Sequence, residues 1–167
     1  MRPCSFLLPM LITCVLGAPL AAQEARFGIQ GGIAFPGGDL SDTASTGLQF
    51  GGHALWNFGR GHGLMARADL TAFGSNDGLR SSSLGLGADY TYHFAQDRQG
   101  LYVLAGLSFQ NYSRDFPDGT YHDSGLGLDL GVGYDLNRNL GLQGRITSVD
   151  AGHSTLSALV LGVTYTF

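Results

Sequence analysis

The stretch that decides the fold is LVLGVTYTF, from Leu159 to Phe167. Its large apolar side chains occupy every second position, and small or polar residues fill most of the positions between them. Because successive side chains of a β-strand point to opposite faces, this alternation predicts a strand with one apolar face. The large apolar residues of this strand are Leu159, Leu161, Val163, Tyr165 and Phe167.

Seven further segments alternate in the same way, and turn-rich stretches separate them. Each has about the 9–11 residues that a tilted membrane-spanning strand needs. No apolar run after residue 22 approaches the roughly 20 residues of a membrane-spanning helix. The sequence therefore predicts an all-β fold, an eight-stranded antiparallel up-and-down transmembrane β-barrel. The seven segments are residues 26–35, 48–58, 64–73, 82–94, 101–111, 124–136 and 140–148.

The opposite face of these strands carries most of their glycines and polar residues. A charge on the lipid-facing side of a barrel costs roughly 2–4 kcal/mol at the bilayer midplane. We therefore predict that the apolar faces contact lipid and the glycine-rich faces line the interior. The alternative, a soluble barrel of lipocalin type, has its large apolar side chains inside. Six charged residues lie well inside the predicted strands, all on the glycine-rich face: Arg67, Asp69, Asp89, Asp129, Asp135 and Arg145.

These interior residues are predicted to form a polar network that largely plugs the lumen. Eight strands leave room for little more than side chains, and buried charges must be paired and hydrogen-bonded. If the second and third strands pair through residues 59–63, His53 falls opposite Asp69. If the sixth and seventh pair through residues 137–139, Arg145 lies diagonal to Asp129. A narrow path or gate for cations is the alternative. The predicted network comprises His53, Arg67, Asp69, Asp89, His93, Asp129, Asp135 and Arg145.

Residues 1–22 have the features of a cleaved secretory signal peptide. Arg2 supplies a positive charge, residues 6–16 are a short apolar core, and residues 17–22 are mostly small. The predicted organisation is a signal peptide at 1–22 and a barrel domain at 23–167. A lipoprotein cleavage site at residues 11–14 is the alternative. Both cysteines, Cys4 and Cys14, lie in this segment, so we expect no disulfide or thiolate site in the mature chain.

The connections between the predicted strands alternate in length. Residues 58–63, 95–100 and 137–139 are short turns, whereas longer connections, richer in acidic residues, Ser, Gly and Pro, occupy 36–47, 74–81, 112–123 and 149–154. Aromatic residues lie near strand ends. Short turns at one end, long loops at the other and aromatic girdles are typical of bacterial outer-membrane barrels. The aromatic residues are Phe27, Trp56, Phe58, Tyr92, Phe94, Tyr134, Tyr165 and Phe167 at the short-turn end, and Phe35, Phe50 and Phe109 at the other.

With these features, the mature chain resembles the small eight-stranded outer-membrane barrels of the OmpA transmembrane-domain, OmpX and opacity-protein type, which are porin-like in fold. The resemblance implies location in the outer membrane of a Gram-negative bacterium, with the short turns and both termini facing the periplasm. It also implies that the closing strand, through Val163, Tyr165 and Phe167, is read by the barrel-assembly machinery. Outer-membrane lipid and lipopolysaccharide are the implied partners, and we expect a monomer.

Three classes of function remain open. The first is a structural or porin-like barrel without catalytic chemistry, cofactor or metal. The second is an adhesin or receptor that binds an extracellular ligand through loop residues such as Tyr112, Phe116 and Tyr121. The third is a lipid A-modifying enzyme, because Asp150, His153 and Ser154 form the residue set of an activated serine.

The charged residues of the chain exclude one class of partner, nucleic acid, and suggest one kind of site, for divalent cations. The chain has no lysine and a net charge of −4, so it has no electrostatic reason to bind nucleic acid. The outer connections are rich in carboxylates, which are the ligands that divalent cations prefer. A solvated acidic rim explains the same residues without a ligand. They are Asp39, Asp42, Asp77, Asp115, Asp118, Asp123 and Asp150.

Overall fold

The structure, a computed structural model, describes residues 24–76, 79–95, 98–116, 119–150 and 155–167. Eight antiparallel strands pair with their neighbours in chain order, and β8 pairs with β1 to close a barrel. This confirms the predicted fold class. In the described part of the chain, no helix is long and apolar enough to cross a membrane. The strands are β1 (Arg26–Gly38), β2 (Ala44–Gly59), β3 (His62–Asn76), β4 (Leu79–His93), β5 (Gly100–Phe116), β6 (Gly119–Asp135), β7 (Leu140–Asp150) and β8 (Thr155–Thr166).

The two ends of the barrel differ. We call the end that carries Arg26 and Phe167 the proximal end, and the opposite one the distal end. The prediction of long distal loops is wrong for most of their length, because the strands continue into them. β5 and β6 each have 17 residues and stay paired out to Phe116 and Gly119. Backbone pairing therefore persists where the side-chain alternation that marks a membrane strand has faded.

The apolar faces of the strands point outward, as predicted. Leu126, Leu128 and Leu130 of β6 are 63–70% exposed, whereas Asp129 between them is 1% exposed. A sheet with this pattern is stable only where lipid covers its outer face, because exposing so much apolar surface to water is unfavourable.

The register of β2 against β3 differs from the prediction. His53 pairs with Arg67, and Asp69 pairs with Gly51. The cause is the hairpin, in which Gly59 pairs with His62 across Arg60 and Gly61, and the register shifts between Asn57 and Gly59. Between β6 and β7, Arg145 pairs with Gly131, which places it diagonal to Asp129, as predicted.

At the seam where β1 and β8 close the barrel, two glycines pair with each other. Gly32 of β1 pairs with Gly162 of β8. A Cβ on Gly32 would lie 2.8 Å from the Gly162 Cα and 2.5 Å from the Leu161 carbonyl oxygen. Both distances are shorter than any normal contact, so these positions have no room for a side chain.

Candidate functional site

Arg67 is the centre of the barrel interior, and its guanidinium contacts three carboxylates. Its Nε donates to Asp89 Oδ2 at 2.8 Å, its Nη2 donates to Asp129 Oδ2 at 2.6 Å, and its Nη1 donates to Asp69 Oδ2. The side chains of Arg67, Asp89 and Asp129 are 0% exposed. Charge-assisted bonds of this kind are about twice as strong as neutral ones, and their low-dielectric surroundings make each partner necessary to the others.

A second arginine joins the same cluster from the other side of the barrel. Arg145 Nη2 lies 3.1 Å from Asp69 Oδ2 and donates to Gln49 Oε1 at 3.1 Å. Gln30 also donates to Asp69, and Thr147 donates to Asp129. Strands β1, β2, β3, β4, β6 and β7 thus all contribute to one cluster. Formally it holds three carboxylates and two guanidiniums.

The sequence places these groups together through strand parity and glycine. Arg67 and Asp69 are two residues apart on β3, so their side chains share the inner face. Gly87 is the β4 partner of Arg67, and a Cβ there would lie 2.9 Å from the Arg67 Cζ. Arg67 therefore crosses the lumen over a position where no side chain stands.

The remaining members of the predicted network form a separate group at the proximal end. His93 Nε2 lies 2.9 Å from Asp135 Oδ2, and His53 Nε2 lies 2.9 Å from Thr166 Oγ1. The His93 ring also stacks on Tyr102, with centroids 4.7 Å apart. The eight predicted residues are therefore all placed toward the interior, but in two clusters rather than one.

Buried apolar side chains also occupy the lumen, which the prediction of a polar network does not include. Met65, Tyr102 and Leu104 are buried together in one cluster, which includes the Tyr102 ring that stacks on His93. Strand parity would have found them, since Met65 shares the inner face of β3 with Arg67. A distal apolar cluster fills the other end of the lumen. Its members are Ala34, Leu40, Ala44, Phe73, Tyr112, Val149, Leu156, Ala158 and Val160.

Two residues of the distal apolar cluster correct the prediction. Leu40, from the connection between β1 and β2, is 0% exposed, because the turn over residues 39–43, closed by a bond from Ala44 N to Leu40 O, directs this one side chain inward. Tyr112, predicted as part of an adhesive loop patch, is 2% exposed inside the barrel. It is not available to an extracellular ligand.

A cavity of about 300 Å³ opens at the proximal end, and we call it the proximal vestibule. Arg98, from the turn between β4 and β5, reaches into it and places its Nη2 3.3 Å from His93 Nδ1. Its backbone has a φ of 60°, which is uncommon for a non-glycine residue. Burial lowers the pKa of Arg98 from its ordinary value, and Asp135 opposes that shift. No sequence pattern marks Arg98, because it lies between β4 and β5, outside the alternating strands.

The distal surface is polar. Arg114 of β5 forms a salt bridge with Asp123 of β6, and Ser113 Oγ lies 2.9 Å from His122 Nδ1. Tyr121 is 58% exposed. Among the described residues no group of three potential metal ligands stands close enough to hold an ion. The side chains of Asp115 and Phe116 and all of Asp77, Asp118, His153 and Ser154 lie outside the described residues.

The closing strand β8 and the residue that follows it place their aromatic side chains on the lipid-facing side of the barrel. Val163, Tyr165 and Phe167 are 44–68% exposed, and the rings of Tyr165 and Phe167 meet edge to face with centroids 5.4 Å apart. Phe167 N donates to Phe27 O at 2.8 Å. The strand predicted to carry the assembly signal is thus held at the closing seam.

Residues 6–167 match the family described as outer membrane protein beta-barrel domain. The chain belongs to this family. Comparison of this outer-membrane barrel with curated protein sequences found no match.

Solved outer-membrane barrels have the same fold. Ail, the attachment invasion locus protein of Yersinia pestis, is 13% identical with a TM-score of 0.62, covering 87% of this chain and 99% of Ail. Neisserial surface protein A is 19% identical with a TM-score of 0.60, covering 87% of this chain and 100% of that protein. The N-terminal barrel domain of Pseudomonas aeruginosa OprF is 17% identical with a TM-score of 0.51, covering 86% of this chain and 100% of that domain.

Proposed function

We propose that this outer-membrane barrel is a closed, membrane-embedded scaffold whose lumen does not conduct ions. The observation that carries the proposal is Arg67, bound by the carboxylates of Asp69, Asp89 and Asp129 across the middle of the lumen. An ion passing through would have to separate these charges, and each unpaired charge in the interior costs several kcal/mol.

The distal apolar cluster supports the same proposal. Leu40 and Leu156 are 0% exposed and stand with Tyr112 in the distal part of the lumen. An apolar constriction excludes ions because it cannot replace their hydration shell. The lumen therefore has two barriers in series, one charged and one apolar.

A conductance measurement tests the proposal. Purified protein inserted into planar bilayers is expected to show no reproducible unitary steps in roughly 1 M KCl, where the Debye length is about 3 Å and exposed charges at the barrel mouths are screened. A general porin inserted under the same conditions serves as the positive control. Regular cation-selective steps would contradict the proposal and would favour the narrow cation path.

The cellular setting is proposed from the family. The signal peptide at 1–22 directs export, the proximal end faces the periplasm, and the assembly machinery reads Val163, Tyr165 and Phe167. The exposed leucines of β6 contact outer-membrane lipid and lipopolysaccharide. We propose a monomer without catalytic chemistry. The enzyme alternative through Asp150, His153 and Ser154 has no described geometry, since the last two lie outside the described residues.

A second candidate is ligand binding at the distal surface. β5 and β6, with 17 residues each, exceed the 9–11 residues that span a bilayer. Their paired ends are therefore proposed to project beyond the membrane and to present Tyr121, which is 58% exposed. Ail, a barrel of the same fold, has been solved in complex with the heparin analogue sucrose octasulfate.

The charge at the distal end argues against a polyanionic ligand of that kind for this chain. Among the side chains that the structure describes, four aspartates belong to this end, two in the β1–β2 connection, one on β6 and one at the end of β7, against the two arginines Arg80 and Arg114. One of these arginines, Arg114, already pairs with a carboxylate. Like charges across an interface suppress binding. The four aspartates are Asp39, Asp42, Asp123 and Asp150.

We therefore expect no saturable binding of sucrose octasulfate at physiological salt. Titration calorimetry on the refolded protein measures this directly, with Ail as the positive control. Saturable binding that is lost in an Arg80→Gln, Arg114→Gln variant would contradict the charge argument and would support a polyanion receptor.

A further inference from the structure

The proximal vestibule has a polar lining with unsatisfied hydrogen-bonding atoms. His53 Nδ1, Asn57 Oδ1, Thr91 Oγ1 and Arg98 Nη1 are all buried without a hydrogen-bond partner, and all four residues line this one cavity. His53 is 6% exposed and Thr91 is 2% exposed. Buried polar atoms without partners cost free energy, so a cavity lined by several of them favours a polar ligand.

Two of these side chains converge at one point. A Cβ on Gly63 would lie 2.6 Å from Thr91 Oγ1 and 2.8 Å from Arg98 Nη2. The hydroxyl and the guanidinium are thus brought to the same small space by β4 and the turn that follows it. The backbone at Arg98 holds a φ of 60° while its side chain lies in the vestibule.

The charge of the lining selects an anion. Three arginines line the vestibule, Arg26, Arg98 and Arg138, against one aspartate, Asp135. That aspartate is already paired with His93. Guanidiniums remain charged in proteins and match the geometry of carboxylate and phosphate oxygens.

We propose that the proximal vestibule is a binding site for a small oxyanion of the phosphate or carboxylate class. Arg98 donates to the anion through Nη1, and the Thr91 hydroxyl donates beside it. The His53 ring contributes Nδ1, held in place by the contact of its Nε2 with Thr166 Oγ1 at 2.9 Å. The cavity of about 300 Å³ is at the small end of ligand sites, and a phosphate-sized group fits within it. The anion enters from the proximal side either as a free ion or as a lipid headgroup.

Inorganic phosphate is the first probe. We expect saturable binding by calorimetry to protein refolded in phosphate-free zwitterionic micelles, and shifts of the His53 and His93 ring nitrogen signals by NMR. His122, at the distal end, is the internal reference and should not move. Absence of both heat and histidine shifts would count against a free ion as the ligand. The experiment with lipid headgroups, described next, would then decide the proposal.

The lipid arm uses nanodiscs of phosphatidylcholine with and without phosphatidylglycerol. Shifts of His53 and His93 that require phosphatidylglycerol and are lost without Arg98 would support the proposal and identify a headgroup as the source. If neither phosphate nor phosphatidylglycerol moves these signals, the proposal is wrong.

Arg98→Gln is the decisive variant, and Arg80→Gln at the distal end is its matched control. Loss of a charged hydrogen bond predicts about tenfold or greater weakening for Arg98→Gln, whereas Arg80→Gln should bind like the wild type. Equal binding by Arg98→Gln, or equal weakening in both variants, would overturn the proposal. Heat-modifiable gel mobility checks folding, and Arg98→Lys, which keeps the charge and is expected to lose less affinity, replaces Arg98→Gln if that variant does not fold.

Discussion

Replacing Arg67 with alanine is expected to lower the free energy of unfolding of the refolded barrel by about 3–5 kcal/mol. The substitution leaves Asp69, Asp89 and Asp129 facing one another in the lumen without the guanidinium that contacts all three. Of the arginines that the structure describes, Arg145, which reaches Asp69 at 3.1 Å, would be the one left in contact with them. Urea unfolding in micelles, followed by the fluorescence of Trp56, measures the effect.

Two further variants test whether the loss of stability comes from the unpaired aspartates. Arg80→Ala removes an arginine from the exposed distal end and should change stability by less than about 0.5 kcal/mol. Adding Asp89→Asn to Arg67→Ala should recover part of the loss, because it removes one of the unpaired charges. If Arg67→Ala costs less than about 1 kcal/mol, the charged cluster does not hold the interior together, and the proposal of a closed lumen loses its main support.

Replacing Gly32 with valine is expected to prevent closure of most barrels during refolding. The new side chain would start 2.8 Å from the Gly162 Cα and 2.5 Å from the Leu161 carbonyl oxygen, both of which are backbone atoms that no rotamer change can move. Overpacking in a well-packed interior costs about 1–3 kcal/mol or more, and here it acts at the seam between β1 and β8. The fraction of fast-migrating band in unboiled gel samples measures closure.

Gly52→Val is the matched control for this substitution. Gly52 pairs with Ile29, which is 57% exposed on the lipid-facing side, and a Cβ there would meet only the Gly28 carbonyl oxygen at 3.6 Å. We expect wild-type refolding from this variant. Equal loss in both would show that valine acts through the unfolded chain and not through the crowded seam.

Much of the interior could be predicted from parity alone. Parity predicts Arg67, Asp69 and Asp89 on the inner face because a charge is tolerated there and not in lipid, and the structure buries all three. Parity does not say which charges meet. That depends on register, and the Arg60–Gly61 hairpin with its shift at Asn57 moved the partner of His53 from Asp69 to Arg67.

Two further residues of the candidate sites could not be placed from the sequence, for a different reason. Leu40 and Arg98 lie between strands, where no periodicity reports the direction of a side chain. Each is folded inward by its turn, Leu40 into the distal apolar cluster and Arg98 into the proximal vestibule. The alternation that predicts β5 ends at residue 111, so the sequence predicts a loop at Tyr112, although the backbone there stays paired with β6.

The sequence by itself determined the strand number, the fold class and which face of each strand meets lipid, because these follow from an alternation that each strand carries locally. Only the tertiary structure decided that Arg67 binds three aspartates at once, that Tyr112 is buried and that Arg98 enters the proximal vestibule. Those contacts join residues from strands and turns far apart in the chain. Their geometry depends on register, curvature and closure, which no single segment encodes.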